Sequence, residues 1–217
     1  MSINGGPDIV TNGLVLHLDA ANNKSYNGSG TTWNDLVGNY NITLTNGPIY
    51  NSNNKGSILF DGINEHGITN WNILTGNAIF SYDIIFLKYN NNNSNFISYG
   101  TAAVSQANQF GIYNNTIGAL NFGNDTIISV SLISSNRWYI ASVTHDGSTT
   151  RLYFNGVLSN TKNTSYNFGA SSLYIGQAII NGFNANINIA SLKFYNKTLS
   201  NNEVLQNFNA LKGRFIL

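Results

Sequence analysis

The sequence predicts an all-β domain, a sandwich or a barrel, with one short helix near its C-terminus. Three observations carry this reading. Short apolar or alternating runs recur along the whole chain, and Gly, Asn, Asp and Ser separate them. Two dipeptides, Asp146-Gly147 and Asn155-Gly156, sit between such runs and supply the positive φ angles that tight hairpins need. The 217 residues fit one domain of this class, large enough to bury roughly 70% of the surface its unfolded chain exposes.

The runs, in order, are 14–18, 57–60, 78–87, 96–99, 117–122, 126–132, 137–145, 149–154, 172–175 and 187–195. The hairpin dipeptides join 138–145, 149–154 and the run from Val157 into a meander. Leu152 and Phe154 then share one face, and Arg151 and Tyr153 the other. The helix is read from Ser200-Asn-Asn-Glu203, a capping box in which the Ser hydroxyl and Glu carboxylate reciprocally satisfy the first free amides. Val204, Leu205, Phe208 and Leu211 follow as its apolar stripe, and Gly213 is expected to end it in a left-handed conformation.

Composition narrows function. Hydrophobic residues are 42% and aromatics 12%, so a packed core is expected rather than disorder. Charged residues are only 9%, with a formal net charge of +1. That argues against nucleic acid, whose binders displace counterions with a basic face, and against a polybasic membrane patch. Asparagine takes the place of the charges, clustering at Asn22-Asn23 and 90–93; it tolerates left-handed turns and suits loops. There is no cysteine, no visible signal peptide and no apolar run of membrane-spanning length.

Beyond these signals, the order and spacing of several motifs resemble laminin-G-like domains of the concanavalin A-like superfamily, of the kind found in phage and viral structural proteins. They are Gly13-Leu-Val-Leu-His-Leu-Asp-Ala20, Gly28-Ser-Gly-Thr-Thr-Trp-Asn-Asp-Leu36 and Ser57-Ile-Leu-Phe-Asp-Gly62. Later come Asn136-Arg-Trp-Tyr-Ile-Ala-Ser-Val-Thr-His-Asp-Gly147, Arg151-Leu-Tyr-Phe-Asn-Gly-Val157 and Leu192-Lys-Phe-Tyr-Asn-Lys-Thr-Leu-Ser-Asn-Asn-Glu-Val204. The resemblance covers almost the whole chain. It implies a two-sheet antiparallel jelly-roll sandwich over residues 11–217, with the first and last strands side by side, preceded by an arm of residues 1–10. It also implies a virion location.

A fold does not assign a function, so the residues must. Glycosidases need paired carboxylates across the scissile bond. The only glutamates are Glu65, with no alternating acid, and Glu203, taken by the cap; the expectation is a protein that is not an enzyme. His17, His66 and His145 lack nucleophile-elbow or zinc spacing, and Gly28-Ser-Gly30 lacks the lysine of a phosphate loop. The cofactor expectation is none, with calcium as the one metal to weigh. Asp19 and Asp61 are its first candidates, with Asp35 and Asp146 behind them, and turn capping is the stronger reading of each. Glycan binding stays open: sugars stack on aromatic rings while amides read their hydroxyls. Trp71 between Asn70 and Asn72 is the leading candidate, with Tyr99 and Tyr113. Trp33 and Trp138 read as core or loop anchors. The expected function is a non-catalytic virion surface or structural protein, with a free lectin-like module as the alternative. The expected partners are other virion proteins, further copies of this chain and host surface glycans.

Overall fold

The computed structural model describes residues 7–53, 55–121, 128–131, 133–180 and 182–217. In chain order the first strands are β1 (Leu14–Asp19), β2 (Thr32–Trp33), β3 (Ile42–Thr45), β4 (Ile49–Asn51), β5 (Ser57–Asp61) and β6 (His66–Trp71). They continue as β7 (Phe80–Lys88), β8 (Ser94–Gly100), β9 (Ala107–Tyr113), β10 (Thr116–Asn121) and β11 (Ile128–Ser131). The last are β12 (Trp138–His145), β13 (Thr149–Phe154), β14 (Val157–Asn163), β15 (Ser171–Ile175) and β16 (Asn186–Tyr195), before helix α1 (Asn201–Phe215).

These strands form two antiparallel eight-stranded sheets, the sandwich expected from the sequence. One runs β14-β13-β12-β7-β16-β5-β4, with β1 also paired to β16, so the first and last strands lie side by side. The other runs β11-β10-β9-β8-β15-β6-β3-β2. Between them lies an aromatic core that includes Trp33, Phe60, Trp71, Tyr82, Phe86, Phe96, Phe110 and Phe194. Large rings fill the gap that two facing sheets leave.

The meander forms as read. Asn155 and Gly156 have φ of 50° and 77°, as a two-residue hairpin requires. The Asp146 turn closes differently. Only Gly147 has positive φ there, while Asp146 Oδ1 accepts the amides of Ser148 and Thr149 at 3.0 and 2.8 Å. Asparagine does the backbone work expected of it. Of the eight described non-glycine residues with positive φ, five are Asn, so its abundance serves turns. The run read over 126–132 is described only at 128–131, where β11 stands; residues 122, 126, 127 and 132 lie outside the described residues.

Helix α1 packs across the outer face of the first sheet, which explains why β7 and β16 are buried on both sides. Their inner residues Tyr82, Ile84, Phe86, Leu192 and Phe194 join the aromatic core. Their outer residues Ile85, Leu87 and Tyr195 meet Val204 and Phe215 of the helix in two smaller clusters. The capping box is present, with Glu203 N–H donating to Ser200 Oγ and Ser200 N–H to Glu203 Oε2.

Three details of the helix differ from the sequence reading. Gly213 stays helical and Ile216 takes the left-handed position, its N–H reaching Lys212 O. Leu205 is exposed. Asn207 is buried in its stead, because its carboxamide binds Asp83 Oδ2 and Tyr195 Oη at 2.7 and 3.0 Å and accepts Val10 N–H at 2.8 Å. Residues 8–10 therefore do not hang free. Gln206 Nε2 donates to Asp8 O, and Val10 is buried beside Leu199 and Val204. Residues 1–6 of the arm lie outside the described residues.

His145 ties a loop to the sandwich. It is fully buried against Phe80 and Tyr166, with Nδ1 paired to Thr150 Oγ1 at 3.0 Å and Nε2 to Asn77 Oδ1 at 3.2 Å. Asn77 Oδ1 also accepts Tyr166 N–H, so it is an acceptor and Nε2 of the imidazole donates to it. Burial, aided by Arg151 and opposed by Asp146, lowers its pKa from 6.5 to about 4. The unfolded chain therefore binds a proton that the folded chain refuses, and stability falls as pH drops from about 6.5 towards about 4. His17, also lowered to about 4 by burial and by Lys193, adds to the same decline. His145→Gln should remove up to about 3 kcal/mol of that decline. Urea midpoints for parent and variant near neutrality and near pH 4 check this; an unchanged gap between the two pH values contradicts it.

Candidate functional site: an asparagine-lined cleft

The described surface holds an open cleft of about 590 Å³ over β3 and β6, lined by Asn39, Tyr40, Asn41, Thr43, Ile68, Thr69, Asn70 and Asn72. That volume is within the range of small-ligand sites. The strand register builds its floor: Thr43 faces Ile68 across β3 and β6, and Ile68 faces Tyr174 of β15. Alternation along β6 sends Trp71 into the core and leaves Asn70 and Asn72 outside. The carboxamides of Asn39, Asn70 and Asn72 are exposed and make no hydrogen bond to another described residue. Each offers a donor and an acceptor to solvent or to a ligand.

The other wall is a loop held from behind by one carboxylate. Asp35, 6% exposed, accepts four backbone amides. His17 and Val37 donate to Oδ1 at 2.8 and 3.0 Å, and Asn39 and Tyr40 to Oδ2 at 3.0 and 3.2 Å. Asp35 N–H in turn donates to Asn41 Oδ1 at 2.9 Å, which leaves the amide hydrogens of Asn41 to the cleft. The Tyr40 ring rests 5.0 Å from Trp71, so the buried tryptophan fixes the tyrosine at the surface. Asp35 is thus a positioning residue for the loop, and its oxygens are taken by amides.

Of the aromatic residues singled out in the sequence, Trp71 and Tyr99 meet in the core, and Tyr113 lies apart from them. Trp71 is fully buried against Tyr40, Tyr99 and Phe194, so it presents no face to a sugar. Tyr99 is also a core residue, its hydroxyl donating to Leu74 O with Gly169 O as the alternative acceptor at 3.2 Å. Tyr113 is half-buried on β9, bonded to Gln109 Oε1 at 3.2 Å, and β8 and β15 separate its strand from β6. These three rings form no common platform. The cleft is lined by Asn70 and Asn72, the neighbours of Trp71, and by the Tyr40 ring.

The calcium candidates are engaged in turns and ion pairs. Asp19 accepts Ala21 N–H at 3.0 Å and receives Arg214 Nη1 on both oxygens at 2.8 and 3.0 Å. Asp61 caps Ile63 N–H at 2.7 Å. Asp146 pairs with Arg151 at 2.8 Å, and this contact with the turn amides holds its carboxyl well below the ordinary range. Among the described residues, no three His, Asp or Glu side chains converge as metal ligands. Glu65 is buried, which raises its pKa, and its Oε2 accepts Asp61 N–H at 2.8 Å. Glu203 pairs with Lys197 beyond its cap. A second open depression of about 400 Å³ lies between residues 7–11, His17, Asp19 and helix α1, but Arg214 already neutralises its Asp19.

No curated protein matches the chain in sequence. Solved structures do match in shape. A Trypanosoma rangeli sialidase in complex with sialic acid superposes with a TM-score of 0.72 at 15% identity, covering 99% of this chain and 35% of the sialidase. The binding domain of botulinum neurotoxin DC in complex with SialylT gives 0.71 at 16% identity, covering 92% of this chain and 52% of that one. The same toxin domain in complex with rat synaptotagmin II gives 0.71 at 17% identity. This chain therefore spans about a third of the sialidase and about half of the toxin fragment, and at these identities the likeness is one of fold. The family model described as concanavalin A-like lectin/glucanases superfamily, of the laminin G type, matches residues 65–205. With most of its length inside that match, the chain belongs to the concanavalin A-like lectin/glucanase superfamily.

Proposed function

We propose that the protein is a non-catalytic glycan-binding module whose ligand sits in the asparagine-lined cleft. The observation that carries this is the set of exposed carboxamides of Asn39, Asn70 and Asn72, without hydrogen-bond partners among the described residues, arranged beside the Tyr40 ring. A sugar offers the complement: hydroxyls that both donate and accept, and a C–H face that stacks on an aromatic ring. That one structural neighbour is a sialidase bound to sialic acid supports a glycan as the ligand class. The non-catalytic reading is supported by the two glutamates, one bonded to a turn amide and one to a helix cap and Lys197.

Asn70→Ala tests the site. Titration against an oligosaccharide panel should show binding by the parent, weakened about tenfold in the variant, as for one or two lost neutral hydrogen bonds. Equal affinities for parent and variant place the ligand elsewhere.

A virion setting is the second part of the proposal, supported by the motif order from Gly13 to Val204. Stoichiometric copies in purified particles support it, and absence from particles turns the reading to a free lectin-like module.

A further inference from the structure

We infer that the cleft selects uncharged glycans and discriminates against sialylated and other acidic ones. The inference rests on the glycan-binding reading above. Four carboxamides, two threonines, a tyrosine and an isoleucine line the cleft, and among these described residues none is charged. The charge that holds its wall, Asp35, is negative, and its carboxylate lies directly behind the amides of Asn39 and Tyr40.

A neutral hydroxyl loses little on entering such a site, because each carboxamide replaces water as both donor and acceptor. A carboxylate loses strong hydration, and the neutral amide hydrogens it meets return less than a formal positive charge would. It also finds no guanidinium or ammonium in the lining to offset that loss. Asn41 works against this preference, since its oxygen is tied to Asp35 N–H and the amide hydrogens it leaves to the cleft would donate to an anion, but they carry no formal charge. The cleft is open, so water screens part of the effect, and discrimination of about tenfold or more is expected. Sialic acid, the ligand named with the sialidase neighbour, is an acid, so this chain would share that neighbour's fold and not its ligand charge.

The experiment uses matched pairs: galactose-terminated oligosaccharides with and without a terminal sialic acid, and neutral glucans beside uronic-acid counterparts. They are titrated against parent, Asn70→Ala, Asn72→Ala and Asn70→Arg. Both Asn70 and Asn72 are exposed, so these variants leave the core intact. Support is binding of at least one neutral member, lost in the alanine variants and about tenfold or more weaker for its acidic partner. Asn70→Arg should then narrow or reverse the preference, because an arginine supplies the bidentate partner a carboxylate needs. Equal or tighter binding of the acidic members, lost in the alanine variants, overturns the inference and leaves the glycan reading standing. No binding to any member, or binding indifferent to both alanine variants, overturns the reading itself and the inference with it.

Discussion

Asp83→Ala is expected to lower stability by about 3–5 kcal/mol, one of the two largest effects the structure predicts. Asp83 of β7 lies directly opposite Lys193 of β16, and helix α1 covers both, leaving each fully buried. Lys193 Nζ has no hydrogen-bond partner among the described residues, and burial lowers its pKa while Asp83 and Asp19 oppose the shift. Removing Asp83 strands an ammonium group in the interior and takes an acceptor from the Asn207 carboxamide. Asp83 Oδ1 and Lys193 Nζ have no hydrogen-bond partner among the described residues, so the attraction across the register acts without direct contact and offsets the burial of the two groups only in part. Asp83→Leu combined with Lys193→Met should therefore recover most of the loss. Urea unfolding of both single variants and the double variant measures the coupling. Additive losses contradict the account.

Asp35→Asn is expected to cost about 3 kcal/mol, roughly 6–12 °C in melting temperature for a chain of this size. It should abolish binding at the cleft as well. The parent carboxylate accepts four amides on two oxygens. A carboxamide offers one oxygen, and its NH2 group then faces two N–H donors at hydrogen-bond distance. The loop that carries Asn39, Tyr40 and Asn41 must move to escape. The β-sandwich itself should persist, so the urea midpoint should fall with an unchanged m-value. A variant with parental stability and parental affinity would show that the loop holds its shape by other means.

The sandwich was legible in the sequence wherever a strand buries one face or both. The run 78–87 is apolar on both faces apart from Ser81 and Asp83, because β7 is covered on one side by the second sheet and on the other by α1. The meander was legible from Asn155-Gly156, whose backbone angles only a few residues adopt without strain. The strands that build the cleft were not read. β3 and β6, with sequences ITLT and HGITNW, carry short polar residues and few large apolar ones. A strand with one wet side carries only half the usual hydrophobic signal.

The same physics places Trp71. Alternation means that a tryptophan flanked by two exposed residues on a strand points inward, so Trp71 lies in the core while Asn70 and Asn72 stay at the surface. The turn capping expected of Asp35 is local, since Val37, Asn39 and Tyr40 lie within five residues of it; only the fourth donor, His17 of β1, is brought in by the fold.

The central claim, that the cleft over β3 and β6 is where this protein meets its ligand, is tested most directly by nuclear magnetic resonance. The side-chain amides of the assigned protein are followed as a bound neutral oligosaccharide is titrated in. The account predicts shifts concentrated at the NH2 groups of Asn39, Asn41, Asn70 and Asn72 and at the Tyr40 ring, with the Trp71 indole moving only through Tyr40. Shifts centred on Tyr113, on the depression beside His17 and Asp19, or on no contiguous surface would contradict it.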